Sequence, residues 1–265
     1  MAETQEFETL QLRREAAVAI ILLNRPKALN AINGAMLKEL ASAFSELAAD
    51  AAIRVILLTG SGERAFAAGA DIRELAGTDA ASGVQISEQG QRVCAQIERC
   101  GKPVIACLNG VALGGGCELA LACSFRLASD AAKLGLPETK LGLIPGFGGI
   151  LRLVRLVGRG AAMRLLLTGA TVGAAEALRL GLVDEVVHSA DLMIRARSIA
   201  HEIAAVAPLA VAGVLAAVRD QEGRLSADET FEAERNIFAR LCDTADKREG
   251  LAAFLEKRTP VWRGQ

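Results

Sequence analysis

The sequence predicts an α/β fold whose sheet is covered by helices on both faces, followed by a helical C-terminal region. Short, almost wholly apolar segments recur along the 265 residues. They alternate with longer segments in which apolar residues follow helical spacing, as in proteins built on buried parallel strands. From Asp191 onward the pattern is almost entirely helical, so we expect helices alone in that part.

The apolar segments predict the strands. Residues 16–23 are continuously apolar and stop at Asn24-Arg25-Pro26, and residues 53–58 stop at a turn rich in glycine. The segment 65–71 consists mostly of small residues and is predicted to be a loop. Further strands are predicted at 103–108, 124–128, 133–136 and 183–187.

The helices are predicted from the spacing of apolar residues. The first begins at the polar pair Asn33-Gly34, and its apolar face is formed by Met36, Leu40, Phe44 and Leu47. A loop containing proline and glycine is predicted at 144–149. Further helices are predicted at 85–99, 117–123, 150–157, 160–167, 172–180, 191–206 and 209–219, and over 227–257 with a break near Asp243.

Composition and charge exclude several classes of protein. The chain has 30 basic and 31 acidic residues, and only 3% of its residues are aromatic. This balance argues against nucleic acid or an anionic membrane as a partner. The six cysteines include no C-x-x-C pair, so they are expected to be small buried residues in a reducing compartment. We therefore expect a cytoplasmic protein without a membrane span or a metal site.

A dinucleotide-binding protein is the main alternative at this point. The segment Gly60-Ser61-Gly62-Glu63-Arg64-Ala65 matches G-x-G-x-x-A after a predicted strand. However, the residues that follow lack helical periodicity, and Asp71 comes too early for the acidic residue that holds the ribose, which is expected about 20 residues further on. The two histidines, His188 and His201, lie outside every motif.

Two runs of small residues could present backbone N–H groups to a ligand. They are the segment 67–71 and Gly114-Gly115-Gly116. The second run leads directly into a predicted helix, where free amides and the helix dipole favour a negative charge. Two such amides that point at one acyl oxygen would form an oxyanion hole. Each run alone is also explained by close helix packing or by a turn.

Two acidic residues stand alone in apolar surroundings. Glu118 lies in the first turn of the helix after the glycine run, and Glu138 follows Pro137 at the end of a short strand. Burial and mutual repulsion raise the pKa of such carboxyl groups toward neutrality. Together with an oxyanion hole, two such carboxyls can transfer protons next to a thioester carbonyl. Dipole compensation and an ordinary surface charge are the structural alternatives.

With these residues, the chain resembles the enoyl-CoA hydratase/isomerase (crotonase) superfamily over nearly its whole length. The resemblance rests on five stretches in the expected order and at the expected separations, which together are far more specific than any one of them. They lie at 23–31, 65–72, 109–118, 135–146 (Gly135-Leu136-Pro137-Glu138 with Ile144-Pro145-Gly146) and 252–258.

The resemblance implies a crotonase-like core, a spiral of ββα turns over residues 1–205, and a C-terminal helical region at 206–265 that assembles trimers or hexamers. It also implies that the amides of Ala70 and Gly115 hold the thioester oxygen. Glu118 and Glu138 would position a water and handle the proton, and Gly146 would lie beside that water. A hydratase is favoured because both acids are present; an isomerase, another acyl-CoA reaction and a non-catalytic binder are the alternatives.

The resemblance further implies where coenzyme A binds. Coenzyme A is expected as part of the substrate, and no separate cofactor is expected. Phe254 and Lys257 would reach it from the C-terminal tail, including that of a neighbouring subunit. The other expected contacts are Lys27, Ala28, Leu29, Ala68, Asp71, Ile72 and Arg73. The acyl group is expected to meet residues within 74–95 and the C-terminal helices.

Overall fold

The computed structural model describes residues 3–222 and 226–265 and contains a larger and a smaller sheet surrounded by helices. The strands are β1 Glu3–Glu6, β2 Leu10–Glu15, β3 Val18–Leu23, β4 Val55–Gly60, β5 Ala65–Ala67, β6 Val104–Leu108, β7 Val111–Leu113, β8 Phe125–Ser129, β9 Lys133–Gly135, β10 Thr171–Gly173 and β11 Glu185–Val187. The helices are α1 Gly34–Ala49, α2 Ile72–Leu75, α3 Ala80–Arg99, α4 Gly115–Ala122, α5 Gly149–Thr168, α6 Ala174–Leu180, α7 Leu192–Ala204, α8 Pro208–Glu222, α9 Ala227–Cys242 and α10 Ala245–Glu256.

The two sheets are joined by a repeated connection. The larger sheet has the order β1-β2-β3-β4-β6-β8-β11, and the smaller has the order β10-β9-β7-β5. Each of β4, β6 and β8 lies in the larger sheet and is followed by a strand in the smaller sheet and then by a helix. This succession of ββα turns confirms the predicted α/β fold with a spiral core.

Close turns carry the chain from one sheet to the other. A Cβ atom on Gly60 would lie 2.2 Å from the carbonyl oxygen of Ala65, and one on Gly110 would lie 2.3 Å from that of Arg64. Only glycine therefore allows these backbones to approach so closely. The Asn109 side chain joins the same turns, because it accepts from the Gly60 N–H at 3.1 Å and donates to the Gly62 carbonyl at 2.7 Å.

Helices cover both faces of the larger sheet, as predicted. On one face the buried core includes residues of α1, α3, α4 and α5, whereas α7 packs on the other face against β3, β4, β6 and β8. All six residues of β4 are buried. The burial of β4 on both faces explains why its sequence lacks polar alternation.

Several element boundaries differ from the sequence prediction. The predicted loop 65–71 begins with the strand β5, and the predicted helix 172–180 begins with part of β10. The helices predicted at 150–157 and 160–167 are one element, α5, with a non-helical kink at Gly158. Helix α3 starts earlier than predicted because Asp79 and Ser82 form a capping box at its start.

The C-terminal helices leave an apolar face uncovered within one chain. Helices α8 and α9 pack against each other and leave Val214, Val218, Phe231 and Phe238 mostly exposed.

The predicted domain boundary between residues 205 and 206 falls between α7 and α8, and the division into two domains stays a prediction. Within the described ranges no single helix has the length and hydropathy of a membrane span, and the one helix pair that together meets the test is bent by 106°.

Candidate active site

A cavity of about 190 Å³ brings together all the residues predicted to be catalytic. It lies between the segment after β5, helix α3, the start of α4 and the segment 137–147. The predicted residues on its wall are Ala70, Gly115, Glu118, Glu138 and Gly146, together with Ala68 and Ile72 from the predicted coenzyme A contacts. The dinucleotide alternative has no comparable support, since the Gly60–Gly62 turn is occupied by Asn109 and the following strand.

The two predicted amides are free of backbone partners. Ile32 pairs with Ala70 in a parallel bridge, in which it donates to Gly69 and accepts from the Asp71 N–H, each at 2.8 Å. This pairing turns the Ala70 N–H away from Ile32. Gly115 is the first residue of α4, so its N–H has no carbonyl within the helix to bind. Within the described residues neither N–H donates a hydrogen bond.

Small residues allow the two amide-bearing segments to touch. A Cβ atom on Gly116 would lie 2.1 Å from the Ala67 carbonyl oxygen. Gly114, with φ of 49°, approaches both the Gly69 Cα atom and the Glu138 carboxyl group. The runs of small residues seen in the sequence thus serve close packing and a shared cavity wall at the same time.

Glu118 is buried in α4 yet well supplied with hydrogen bonds. The residue is 1% exposed, and its Oε1 atom accepts from the backbone N–H groups of Phe147 and Gly149, both at 2.7 Å. The pKa of Glu118 is raised to about 7, mainly by burial and in smaller part by the nearby Glu138. The two N–H donors and the Arg152 charge oppose this rise.

Glu138 faces the same cavity from a short 3-10 turn, Glu138–Leu141. Its Oε2 atom is buried without a hydrogen-bond partner in the described part of the chain. Burial raises the pKa of this carboxyl above its ordinary value of 4.5. Two acids with raised pKa values therefore share one small cavity, as the sequence predicts from their apolar neighbours.

Several predicted coenzyme A contacts adjoin the cavity wall at Ala68 and Ile72. Lys27 and Ala28 are exposed on the turn Pro26–Ala28, and the Leu29 carbonyl accepts from the Ala68 N–H at 3.0 Å. Arg73 is exposed on α2.

Asp71 has a structural role in the same region. It caps α2 through Arg73 N–H, and its carboxylate pairs with Arg25 at 2.9 Å. These bonds fix the position of the carboxylate, and a contact between Asp71 and coenzyme A stays a prediction.

Comparison with known proteins decides the family. The family model described as "Enoyl-CoA hydratase/isomerase" matches residues 13–265. The chain belongs to the enoyl-CoA hydratase/isomerase family of enzymes. It is 42% identical to the short-chain-enoyl-CoA hydratase of Clostridium acetobutylicum, over 96% of this chain and 97% of that one. It is 43% identical to the crotonyl-CoA hydratase of Syntrophomonas wolfei, over 95% and 96% of the two chains.

The solved structures agree with this family assignment. The crystal structure of an enoyl-CoA hydratase from Bacillus anthracis superposes with a TM-score of 0.94 at 39% identity. The match covers 97% of this chain and all of that one. With this degree of similarity, the protein has the fold of the crotonase superfamily.

The cavity is also lined by residues that the sequence analysis did not name one by one. Leu75, Thr78, Gly83, Ile86 and Ser87 line the cavity within the expected range 74–95. The cavity is also lined by four apolar residues after Glu138 that sequence reasoning missed, although two of them, Ile144 and Phe147, stand in the predicted loop 144–149, where their hydrophobicity is a visible signal. They are Leu141, Leu143, Ile144 and Phe147.

None of the described residues of the C-terminal helices lines the cavity of its own chain. Phe254 is 82% exposed, and Lys257 ends α10. Their predicted contacts with coenzyme A therefore depend on a second subunit and stay predictions.

Proposed function

We propose that this enzyme adds water across the 2,3 double bond of a short 2-enoyl-CoA thioester. The proposal is supported by the presence of Glu118, Glu138, Ala70 and Gly115 on the wall of one cavity, together with the absence, in the described residues, of a hydrogen bond from the Ala70 and Gly115 N–H groups. Two amides suit a thioester oxygen that gains negative charge, and two carboxyls suit the two proton transfers of a hydration.

The two acids differ in a way that assigns their roles. Glu118 receives two N–H donors, which stabilise its ionised form, whereas the buried Oε2 of Glu138 receives none in the described chain. Glu118 then acts as the base that removes a proton from water, and Glu138 acts as the acid. A protonated Glu138 and an ionised Glu118 also avoid the repulsion of two like charges in one cavity.

The reaction proceeds by addition of hydroxide to C3 and of a proton to C2. Glu118 takes one proton of the water while the oxygen bonds to C3, and the electrons of the double bond move toward the thioester oxygen. The N–H groups of Ala70 and Gly115 stabilise this enolate-like charge more strongly than the neutral carbonyl. Glu138 then delivers its proton to C2, and a proton passes back from Glu118 to restore the pair. Water and the thioester supply every atom, so the scheme uses no cofactor.

Exposed basic groups support the proposed site of coenzyme A. Lys27 and Arg73 lie on the two segments that adjoin the cavity wall at Ala68 and Ile72. Their positive charges suit the phosphates of coenzyme A, and Arg can bind a phosphate with two parallel N–H groups.

The cavity predicts a preference for short acyl groups. Its volume of about 190 Å³ lies below the range of ~300–1,000 Å³ that is usual for ligand pockets. We expect kcat/KM to be highest for crotonyl-CoA and to fall across thioesters of 4, 8 and 16 acyl carbons, by about tenfold or more overall.

Loss of the ultraviolet absorbance of the enoyl thioester measures this hydration directly. A 3-enoyl-CoA serves as the control substrate, because it has no double bond in conjugation with the carbonyl. Turnover of the 3-enoyl thioester without hydration of crotonyl-CoA would indicate an isomerase and contradict the proposal.

We further propose that the exposed face of α8 and α9 binds other copies of the chain. A groove of about 680 Å³ between these helices is lined mainly by apolar residues, and Phe238 on its wall is 70% exposed. Apolar patches of this kind are typical of subunit interfaces. We expect light scattering to give a multiple of the chain mass of 27.7 kDa, three or six copies, and Phe238→Lys to lower it.

The matched control is Asn236→Lys, which places the same charge on an exposed α9 residue outside the groove. This variant is expected to keep the mass of the assembly. A single-copy mass for the unaltered protein would contradict the interface.

A further inference from the structure

One face of α3 is directed at the segment that supplies hydrogen bonds to Glu118. Ser87, Gly90, Gln91, Cys94 and Glu98 follow each other at spacings of three or four residues, with Gly90 beside Gln91. Such residues share one face of a helix. All five contact Glu118 itself or the segment 146–152 that packs against it.

Two side chains of this face bind a single carbonyl group. Ser87 Oγ donates to the Gly146 carbonyl oxygen at 2.6 Å, and Gln91 Nε2 donates to the same oxygen at 3.1 Å. Gln91 Nε2 is also 3.1 Å from Ser87 Oγ, so the two side chains support each other. Ser87 in addition lines the cavity.

That carbonyl belongs to the peptide group whose other end binds Glu118. The planar peptide between Gly146 and Phe147 directs its C=O and its N–H in opposite directions. Its C=O is held by α3, and its N–H donates to Glu118 Oε1 at 2.7 Å. The side chains on α3 therefore fix the direction in which this N–H points.

The remaining residues of the face hold Phe147. A Cβ atom on Gly90 would lie 2.0 Å from the Phe147 ring, so the ring rests directly on the α3 backbone. The Phe147 carbonyl accepts from Arg152 at 2.9 Å, and Arg152 forms a two-pronged ion pair with Glu98 at 2.6 and 2.8 Å. The thiol of Cys94 lies 3.8 Å from the backbone carbonyl of Glu118.

We propose that Ser87 and Gln91 are positioning residues for hydration, which hold the Gly146–Phe147 peptide so that its N–H is aimed at Glu118. The proposal rests on the proposed function, because it assigns Glu118 the role of base. Neither side chain needs to touch the reacting atoms; both act through the peptide.

Loss of this support would change the acidity of Glu118 in a defined direction. A weaker N–H bond stabilises the ionised carboxylate less, so the pKa of Glu118, which burial already raises to about 7, would rise further. The other titratable or charged groups near Glu118 stay in place when α3 is altered at Ser87 and Gln91. They are Glu138 on its 3-10 turn, Arg152 on α5, Cys94 on α3 and Cys117 on α4.

The test compares Ser87→Ala, Gln91→Leu and the double variant with the unaltered enzyme. We expect the double variant to lower kcat for crotonyl-CoA by about 10- to 100-fold, as a small misplacement of a catalytic group does. KM is expected to change less than kcat: Ser87 lines the acyl cavity, but neither side chain is among the expected coenzyme A contacts. The activity of the unaltered enzyme should fall below a pH of about 7, and this limb should move to higher pH in the double variant.

A second measurement is independent of activity. The Glu118 carboxyl is titrated by 13C NMR of labelled glutamate, with the resonance identified by its loss in Glu118→Gln. We expect a higher titration midpoint in the double variant. If the unaltered protein does not hydrate crotonyl-CoA, the proposed function fails, whereas the titration still decides whether α3 positions Glu118.

Two controls separate positioning from general damage. Ser87→Thr keeps a hydroxyl at the same place and should retain kcat within about threefold. Arg92→Leu alters an exposed neighbour on α3 and should leave the pH profile unchanged. If the double variant does not fold, Gln91→Leu decides the question, because Gln91 is exposed; it should shift the limb in the same direction by less. An unchanged Glu118 midpoint and an unchanged pH profile in the folded variants would overturn the proposal.

Discussion

Replacing either Glu118 or Glu138 by Gln is expected to lower kcat for hydration of crotonyl-CoA by about a thousandfold or more, within the range of ~10²–10⁴ that one acid–base group contributes. Gln cannot take a proton from water in the place of Glu118, nor give one to C2 in the place of Glu138. The measurement is the rate of loss of enoyl-thioester absorbance at saturating substrate. KM should change little, because neither carboxyl is among the expected coenzyme A contacts.

The Glu118→Gln variant is expected to fold, because a Gln oxygen can still accept from the Phe147 and Gly149 N–H groups. The dependence of its stability on pH provides a further check. The pKa of Glu118 is about 7 in the folded protein and 4.5 in the unfolded chain, so the folded state holds the proton between these values. The stability that this group provides is therefore present below a pH of 4.5 and is lost as the pH rises to about 7.

The free energy of unfolding in urea, measured at about pH 5 and about pH 8, tests this linkage. Glu118→Gln lacks the titrating group, so its stability relative to the unaltered protein should be greater at the higher pH. Glu88→Gln, which alters an exposed glutamate on α3, is the matched control and should keep both the activity and the pH dependence. Turnover near that of the unaltered enzyme in folded Glu118→Gln or Glu138→Gln would contradict the assigned roles.

The sequence predicts the buried parts of this fold well and the short parts poorly. Strands β4 and β6 and helix α1 were predicted because each carries enough apolar residues for its spacing to be recognised. Strands β5 and β10 have three residues each, too few to show a period. They form only because β7 and β9 supply partners from distant parts of the chain, and such pairing cannot be read from local sequence.

The same distinction holds for the site. The apolar neighbours of Glu118 and Glu138 in the sequence were sufficient to predict that burial raises both pKa values. The hydrogen bonds that Glu118 receives come from a separate segment of the chain. The support of their donors by Ser87 and Gln91 joins α3 to Gly146, across 55 or more positions of the sequence. No periodicity or motif reports a contact of this kind, so it required the structure.

Gly116→Ala is expected to lower kcat by about a hundredfold or more, because it separates the segments that carry the two amides. The new Cβ atom would lie 2.1 Å from the Ala67 carbonyl oxygen and 2.7 Å from its Cβ atom. These are backbone and short side-chain atoms, so the segments themselves must move apart. Gly115 is adjacent to the change, and loss of one donor of an oxyanion hole costs ~10²–10³ in kcat. Overpacking is also expected to reduce the free energy of unfolding by about 1–3 kcal/mol.

Gly160→Ala is the matched control for this substitution, since Gly160 is a helical glycine of α5 whose added Cβ would meet no atom within 4 Å apart from its chain neighbours and the nearby backbone of its own helix. It should keep kcat and raise the free energy of unfolding by about 0.5–1 kcal/mol, the usual gain of Ala over Gly in a helix. Both variants are compared at equal folded fraction, with kcat for crotonyl-CoA and urea unfolding as the measurements.

If Gly116→Ala is folded and retains kcat close to that of the unaltered enzyme, tight contact between the two segments is not needed to hold the thioester oxygen. The two-amide site would then have to be abandoned, because the close approach of Gly116 to Ala67 is what brings the Ala70 and Gly115 N–H groups to one cavity.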